Sequence, residues 1–553
     1  MSVSRYFHTL RHLRPGQVAG RIAFRLRRPS PDLRAAPPRR PASGTWAAHP
    51  GRGCALPGPR RMRFLNEERE VGPGDWDRAD WPKLWLYNLH YFDVLHAAEV
   101  AGDPSLGHAV IDNWLGENPP AHGTGWEPYP LSLRIVNWIK WTLDGNALAP
   151  RAHESLAVQA RHLARRLEWH LLGNHLFENA KALVYVGLYF DGPEAEGWLA
   201  TGLRILAREM PEQILADGGH FELSPMYHSI VLEDVLDLVN VARAYAATPS
   251  GALSAGLASW MAAVPAMLDW LDAMCHPDGG IAFFNDAAFG IAPAPADIAA
   301  YARRLGFAAR CGFTAGLKYL RESGYVSARL GPAALIFDAA PVGPQYLTAH
   351  AHADTLSFEL SWQGRRIICN SGTSRYGTGS VRDWERSTRA HNTVEIDAES
   401  SSEVWHGFRV ARRARPFDHE VSAGADAISI ACSHDGYSRL AGRPVHRREI
   451  TMRENELVWI DRVEGRGPHR VCGRITLHPD VSVRDCGDRS FELGCSDGTL
   501  LRLDVSACDS VAIERGTYAP EFGCVVERPV IAWAASGALP VTTRVSLRAA
   551  APR

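Results

Sequence analysis

At 553 residues, with 46% hydrophobic and 22% charged residues, the chain is long enough for more than one core and ordinary in composition for a folded, soluble protein. A formal net charge of −1 excludes a global electrostatic pull toward nucleic acid or a membrane surface, so any anion must be bound locally. Ten cysteines without a CxxC pair speak against a disulfide framework or a zinc knuckle and fit free thiols in a reducing compartment.

Residues 1–62 read as a basic arm and linker. The first 61 residues hold thirteen arginines and one aspartate, with a Pro/Gly-rich stretch around Pro37–Pro59. The simplest reading is a short solvated helix followed by a linker; the alternative is an arm that touches an acidic polymer or an acidic membrane surface. MSVSRYFHTLRHLRPGQVAGRIAFRLRRP has no uninterrupted apolar segment and is not a recognisable secretory signal, so the expected location is cytoplasmic. No stretch reads as long enough to span a membrane.

Residues 63–322 carry the helical period. LRIVNWIKWTL (133–143), LARRLEWHLLGNHLFENAKALVYVGLYF (163–190), SIVLEDVLDLVNVARAY (229–245) and LASWMAAVPAMLDWLDAM (257–274) place apolar residues three and four apart, between Gly/Pro/Asp breaks. Antiparallel helical hairpins in a bundle or toroid follow. Several polar residues interrupt this apolar pattern. In GNHLFENA (173–180), Asn174, His175 and Glu178 share one helical face between apolar flanks, where polar groups need partners or a task. In DGGHFELSPMYHSIV (217–231), a glycine turn leads to His220, Glu222 and Ser224, and a helix opened by Pro225 carries Tyr227 and His228. A tyrosine exchanges protons when neighbouring charge or hydrogen bonds tune its pKa. Arg134 offers a carboxylate fork beside Asn137, and FFNDAAFG (283–290) offers Asn285 and Asp286.

Residues 323–553 switch to a period of two and read as an antiparallel sandwich, so the fold class is multi-domain α+β: helices first, strands after. TAHAHADTLSFEL (348–360) reads as an extended strand in which His350, His352 and Asp354 leave the same side as Leu356, Phe358 and Leu360. Polar groups on a buried sheet face are costly unless they are used. His352, Asn370 and His391 could converge from adjacent strands into a small nitrogen/oxygen metal site suited to zinc. Seventeen tryptophans and 15 tyrosines supply flat faces that suit sugar rings as well as cores.

Taken together, GNHLFENAKAL, DGGHFELSPMYH, HAHADTLSFEL, the glycine turn CNSGTSRYG (369–377) and RAHNTVEID (389–397) resemble, in content and order, the heparinase II/III family of polysaccharide lyases over roughly residues 75–480. The resemblance implies an N-terminal (α/α) toroid, a C-terminal antiparallel β-sandwich and a site between them that breaks a uronate-containing polysaccharide by β-elimination. By motif position it implies Asn174, His175 and Glu178 for handling the C5 carboxylate, Tyr227 as acid or as acid and base, and His350 as complementary base or charge stabiliser. Arg134, Asn137, Glu222 and His228 are the expected substrate contacts. In zinc-containing relatives an aspartate stands where this chain has Asn370, so one structural zinc on His352, Asn370 and His391 is expected to be weakened by a neutral amide. The family expectation for location is the cell envelope. Two other readings stay open: a hydrolase on the same scaffold using a carboxylate pair such as Glu178 with Glu222 or Asp286, and a non-catalytic protein that binds or assembles polysaccharide.

Overall fold

A computed structural model describes residues 3–309 and 315–550. Helices α1 (Val3–Leu10) and α2 (Pro15–Leu26) come first, then a three-stranded antiparallel sheet over residues 55–70. Ten helices follow: α3 (Lys83–Tyr91), α4 (Ala98–Gly102), α5 (Pro104–Glu117), α6 (Pro128–Leu143), α7 (Pro150–Arg165), α8 (Gly173–Tyr189), α9 (Pro193–Gln213), α10 (Pro225–Ala244), α11 (Gly251–Ala273) and α12 (Pro295–Arg304). Helices α8 and α10 are buried on almost every side, whereas α7, α9 and α11 show one face to solvent. Alternating inner and outer helices of this kind make the double-layered (α/α) toroid. Prolines sit at the first turn of α2 and of α5, α6, α7, α9, α10 and α12, where their missing N–H is no loss.

Three expectations need correction. The apolar run 163–190 is two helices, because α7 ends at Arg165 and α8 begins at Gly173 after Leu172 turns left-handed at φ +64°. Residues 27–54 are not a solvated linker. Arg40 donates to the carbonyls of Gly187 and Leu188 near the end of α8 at 3.1 and 3.0 Å, Asn240 pairs with the backbone of Ala47 at 2.9 and 2.8 Å, and Arg52 meets Glu233 at 2.6 Å. A segment this rich in Pro and Arg cannot form its own ladder, so its arginines bind helix-end carbonyls and buried acids instead. Finally, α11 has 23 residues and is long and apolar enough, by length and composition, to cross a membrane. Trp260, Met267, Trp270 and Leu271 are among its buried residues.

From Gly316 to Ala549 the chain is built mainly of strands in antiparallel sheets. A five-stranded sheet (316–368), a four-stranded sheet built on Val526–Ala538 and Pro468–Thr476, and an eight-stranded sheet from Pro416–Ala423 to Ser482–Asp485 share one core that includes Phe358, Trp459, Leu503, Trp533 and Leu547. Alternation is clear in Val445–Arg453, whose residues are buried at every second position.

The α8–α9 contact depends on two small residues. A Cβ on Gly187 would lie 2.5 Å from the amide nitrogen of Leu199, and one on Gly202 would lie 2.7 Å from the carbonyl of Ala180. Gly187→Ala is therefore expected to force the helices apart and cost about 1–3 kcal/mol, read as a lowered midpoint in urea unfolding followed by circular dichroism; an unchanged midpoint would contradict this packing.

Candidate functional site

Residues 348–356 form an irregular loop, and the strand starts only at Phe358. The expected same-face alternation of His350 and His352 is therefore not what joins them. A single carboxylate does. His350 Nδ1 lies 2.9 Å from Asp286 Oδ2 and His352 Nε2 lies 2.8 Å from Asp286 Oδ1. Arg382, on the short helix α13 (Ser380–Glu385), grips both oxygens, with Nη2–Oδ2 at 2.7 Å, and Thr373 donates to Oδ1 at 3.3 Å. The backbone closes the same joint: the Asp286 amide donates to His350 O, the His352 amide to Asn285 Oδ1, and the Asn285 amide to Asp354 Oδ2, all at 2.8 to 2.9 Å. Burial opposes the charge on Asp286, but Arg382 and the two histidines hold its carboxyl well below the usual range.

Around this joint the catalytic candidates assemble. The Tyr227 and His350 rings stack at 3.8 Å, and the Tyr227 hydroxyl is 2.9 Å from that of Tyr376 in the glycine turn. Glu222 links the toroid to the sandwich, accepting from the Asn174 amide and lying 3.5 Å from His350 Nε2. Ser224 caps α10 by accepting from the Tyr227 amide at 3.2 Å, which fixes Tyr227 in the first turn. Asn174 occupies the first turn of α8, with His175 next to it. His175 meets Glu168 at 3.2 Å; burial disfavours its charge, yet Glu168 raises its pKa on balance. Tyr129 packs on His175 at 4.4 Å and on Tyr91 at 5.9 Å, so an aromatic wall flanks the toroid side. Burial pushes the Tyr227 phenol well above its ordinary value, with the Tyr376 hydroxyl pulling the other way. Leu172, Leu223, Asn285 and Leu356, each within two residues of one of these groups, all have left-handed φ between 56° and 66°, strain of the kind that gathers where geometry is over-determined.

Other expected residues lie elsewhere. Glu178 points into a charged cluster inside the toroid with Lys181, Asp234 and Asp237, not toward His175. Burial and Asp234 push its pKa well above the usual carboxyl value, and its Oε2 has no partner. Arg134 is fully buried, donating to Gln159 at 3.0 Å and stacking over Trp114 at 4.0 Å, so it is a core residue away from the cleft. Asn137 pins the turn after α3, donating to Tyr91 O and to Asp93 at 2.9 Å. His228 is held on both ring nitrogens, accepting from the His220 amide at 3.2 Å and donating to Met267 O at 2.9 Å, which leaves it nothing for a substrate. Two groups with central places had no assigned role in the sequence reading: Arg382 and Tyr376. Asp286 stood out there as a polar residue in the apolar FFNDAAF run and as a possible partner of Glu178 in a hydrolase pair, not as the joint between the domains.

The metal expectation is also rearranged. His352, Asp354 and His391 bring one ligand atom each within 4.8 Å of one another. Asn370 stands apart: its Oδ1 accepts from the amide and side chain of Asn392 and its Nδ2 faces Ser357 at 3.4 Å. The histidines fit a cation. His352 Nε2–H donates to Asp286 and His391 Nδ1–H donates to Ser387 O at 2.8 Å, so His352 Nδ1 and His391 Nε2 present lone pairs to each other at 3.1 Å. Facing lone pairs need a proton or a metal ion between them, and outer-nitrogen bonds of this kind orient metal-binding imidazoles.

Comparison with known proteins agrees with this architecture. Residues 142–294 match the family model for the heparinase II/III N-terminus, and residues 314–545 match the heparinase II/III-like C-terminal model. A heparin-sulfate lyase of Bacteroides stercoris is 28% identical over 328 residues, 53% of this chain and 48% of that protein; this chain thus spans about half the length of that relative. The FtsZ-localized protein C of Caulobacter vibrioides is 25% identical over 437 residues, 73% of this chain and 71% of its own. The crystal structure of heparinase III superposes with a TM-score of 0.70 at 20% identity, covering 87% of this chain and 80% of that one, which shows a shared fold.

Glu178 supplies a pH test. Its folded pKa lies above 4.5, so its stabilising contribution is complete below that value and is lost as pH rises toward the folded pKa. Glu178→Gln, neutral throughout, is expected to match the parent's unfolding midpoint near about pH 5 and exceed it near about pH 9. A midpoint that falls at the higher pH would show an ionised, paired Glu178 instead.

Proposed function

The chain belongs to the heparinase II/III-like family, and from that premise we propose that it is a polysaccharide lyase that cleaves a uronate-containing polymer by β-elimination. The observation that carries this reading is the stacked Tyr227–His350 pair, tied through Glu222 to Asn174 at one junction of toroid and sandwich.

Elimination needs the uronate carboxylate neutralised, the C5 proton removed and the leaving oxygen protonated. Asn174 and His175, whose pKa Glu168 raises against the opposing effect of burial, would meet the carboxylate from the first turn of α8, helped by the helix dipole. The Asp286 contact assigns the proton of His350 to Nδ1, which leaves Nε2 as the basic nitrogen and lets Asp286 stabilise the imidazolium formed when C5–H is broken. The electron pair of that bond forms the C4=C5 double bond as the C4–O bond breaks. Tyr227, neutral because burial raises its pKa, suits the donor role, giving its proton to the departing oxygen with Tyr376 hydrogen-bonded behind it. Polymer identity and endo or exo action follow from the walls around this junction, of which Tyr91 and Tyr129 are sugar-facing candidates.

We further propose one structural cation held by His352 Nδ1, Asp354 and His391 Nε2, with Asp354 supplying the carboxylate that position 370 lacks. Such an ion would brace the loop that carries His350. FtsZ-localized protein C, whose name states no lyase activity, matches over more of both chains than the lyase does, so a second reading stands beside the first: a protein on this scaffold that binds or assembles polysaccharide without turnover.

Tyr227→Phe separates the two. For a lyase, the ultraviolet absorbance of the unsaturated uronate product should fall about 10²- to 10⁴-fold across a panel of heparan, hyaluronan, alginate and bacterial exopolysaccharides while binding persists. Absence of that product from the parent protein on every polymer would favour the assembly reading. For the cation, elemental analysis of purified protein should find about one zinc-class ion per chain, lost in His391→Ala and in Asp354→Asn but retained in Asn370→Ala; a metal-free parent would leave a shared proton between the histidines.

A further inference from the structure

Helices α1 and α2 are amphipathic the wrong way round for a docked element. Their polar side faces the body: Ser4 accepts from Arg412 at 2.9 Å, Thr9 accepts from Trp405 at 3.2 Å, Gln17 is buried and donates to Tyr346 O, and Arg14 pairs with Glu212 and lies 3.6 Å over Tyr346. Tyr6, against Trp405 at 4.9 Å, and Phe24, beneath Arg166 at 3.6 Å and beside His170 at 4.4 Å, add aromatic contacts on that side. The apolar side faces outward. Val3, Phe7 and Leu10 are 84%, 62% and 55% exposed, and Val18, Ile22 and Leu26 are 49%, 57% and 78% exposed. The spacings of 4 and 3, then 4 and 4, put each trio on one stripe of its helix. Water is a poor partner for six such side chains in two adjacent elements.

Charge identifies the occupant. Arg11, Arg21, Arg25, Arg27 and Arg28 are exposed on the same two helices and the turn that follows, and among the described residues none of them has an ion-pair partner. On α2, Arg21 and Arg25 lie one helical turn apart along the edge of the Val18–Ile22–Leu26 stripe. Guanidinium groups flanking a shallow apolar stripe match a bilayer surface, where phosphates lie just above acyl chains. A soluble polyanion would use the arginines but not the phenylalanine and the aliphatic side chains. We propose that α1 and α2 are an interfacial anchor that lays this face of the protein onto an anionic phospholipid membrane. The anchor touches both domains, through Tyr346 and Glu212 on one side and Trp405 and Arg412 on the other, so the bound protein would hold toroid and sandwich in one orientation to the bilayer.

The test is flotation of the full-length protein with vesicles of phosphatidylcholine alone or mixed with phosphatidylglycerol, at low and high salt. Binding is expected only to the mixed vesicles, weakening with salt, and falling roughly tenfold or more in Phe7→Glu/Ile22→Glu and in Arg21→Glu/Arg25→Glu. All four positions are exposed, so both variants should keep the parent's circular dichroism and unfolding midpoint. Absence of vesicle binding by the folded parent, or equal binding to neutral and mixed vesicles, overturns the proposal. So does a parent dimer that Phe7→Glu/Ile22→Glu converts to monomer without any vesicle binding, which would make the occupant a second copy. Binding of acidic polysaccharide, but not vesicles, that is lost in the arginine variant would make it a polymer.

Discussion

The buried carboxylate of Asp286 is the constraint around which the rest of the molecule is arranged. Taking an ionised carboxylate fully out of water costs several kcal/mol unless cations and hydrogen bonds replace the lost hydration. Here the replacement comes from the other domain: Arg382 on both oxygens, His350 on one, His352 on the other. The toroid contributes the charge and the sandwich contributes its solvation, so neither half of the site is complete alone. The same bonds set the tautomers of both histidines, which gives one a free nitrogen toward Glu222 and the other a free nitrogen toward His391. Catalytic candidate and cation candidate are thus two outcomes of one electrostatic requirement.

A second buried charge system lies inside the toroid, and its logic differs. Lys140 and Lys181 both meet Asp237, Lys181 also meets Asp234, and Arg52 from the chain's early segment meets Glu233. Removing one member of such a network strands its partners, while the intact network stabilises little beyond its own desolvation cost. Its effect is to tie inner helices α6, α8 and α10 to one another and to residues 27–54 across the ring. Glu178, with its raised pKa and an unpartnered oxygen, belongs to this network. It shares a helix face with Asn174 and His175, yet one turn further along α8 its neighbours are Lys181 and Asp234, whereas His175 meets Glu168.

The early segment also changes how the protein meets its surroundings. Arginines at positions 40 and 52 are consumed by carbonyls and acids of the toroid, whereas those at 11, 21, 25, 27 and 28 stay exposed beside an outward apolar stripe. One composition thus serves two roles, assigned by where the backbone carries each guanidinium. Near-zero net charge over the whole chain hides this local excess, because the acids that balance it lie elsewhere.

Periodicity alone was enough to identify a helical region followed by strands, since the 3.6 and 2 repeats arise from backbone geometry that each segment obeys locally. Motif order was enough to bring Asn174, Glu222, Tyr227, His350, His352 and His391 into consideration, because polar residues inside apolar runs must find partners. Tertiary structure decided which partners. It sent Arg134 into the core against Trp114, Asn137 to the backbone of Tyr91 and His228 to Met267, and it put Asp354 where Asn370 was expected. Those outcomes depend on residues far apart in the chain, such as Asp286 with Arg382. No local pattern encodes which buried charge will meet which cation; only the packed arrangement of both domains fixes it.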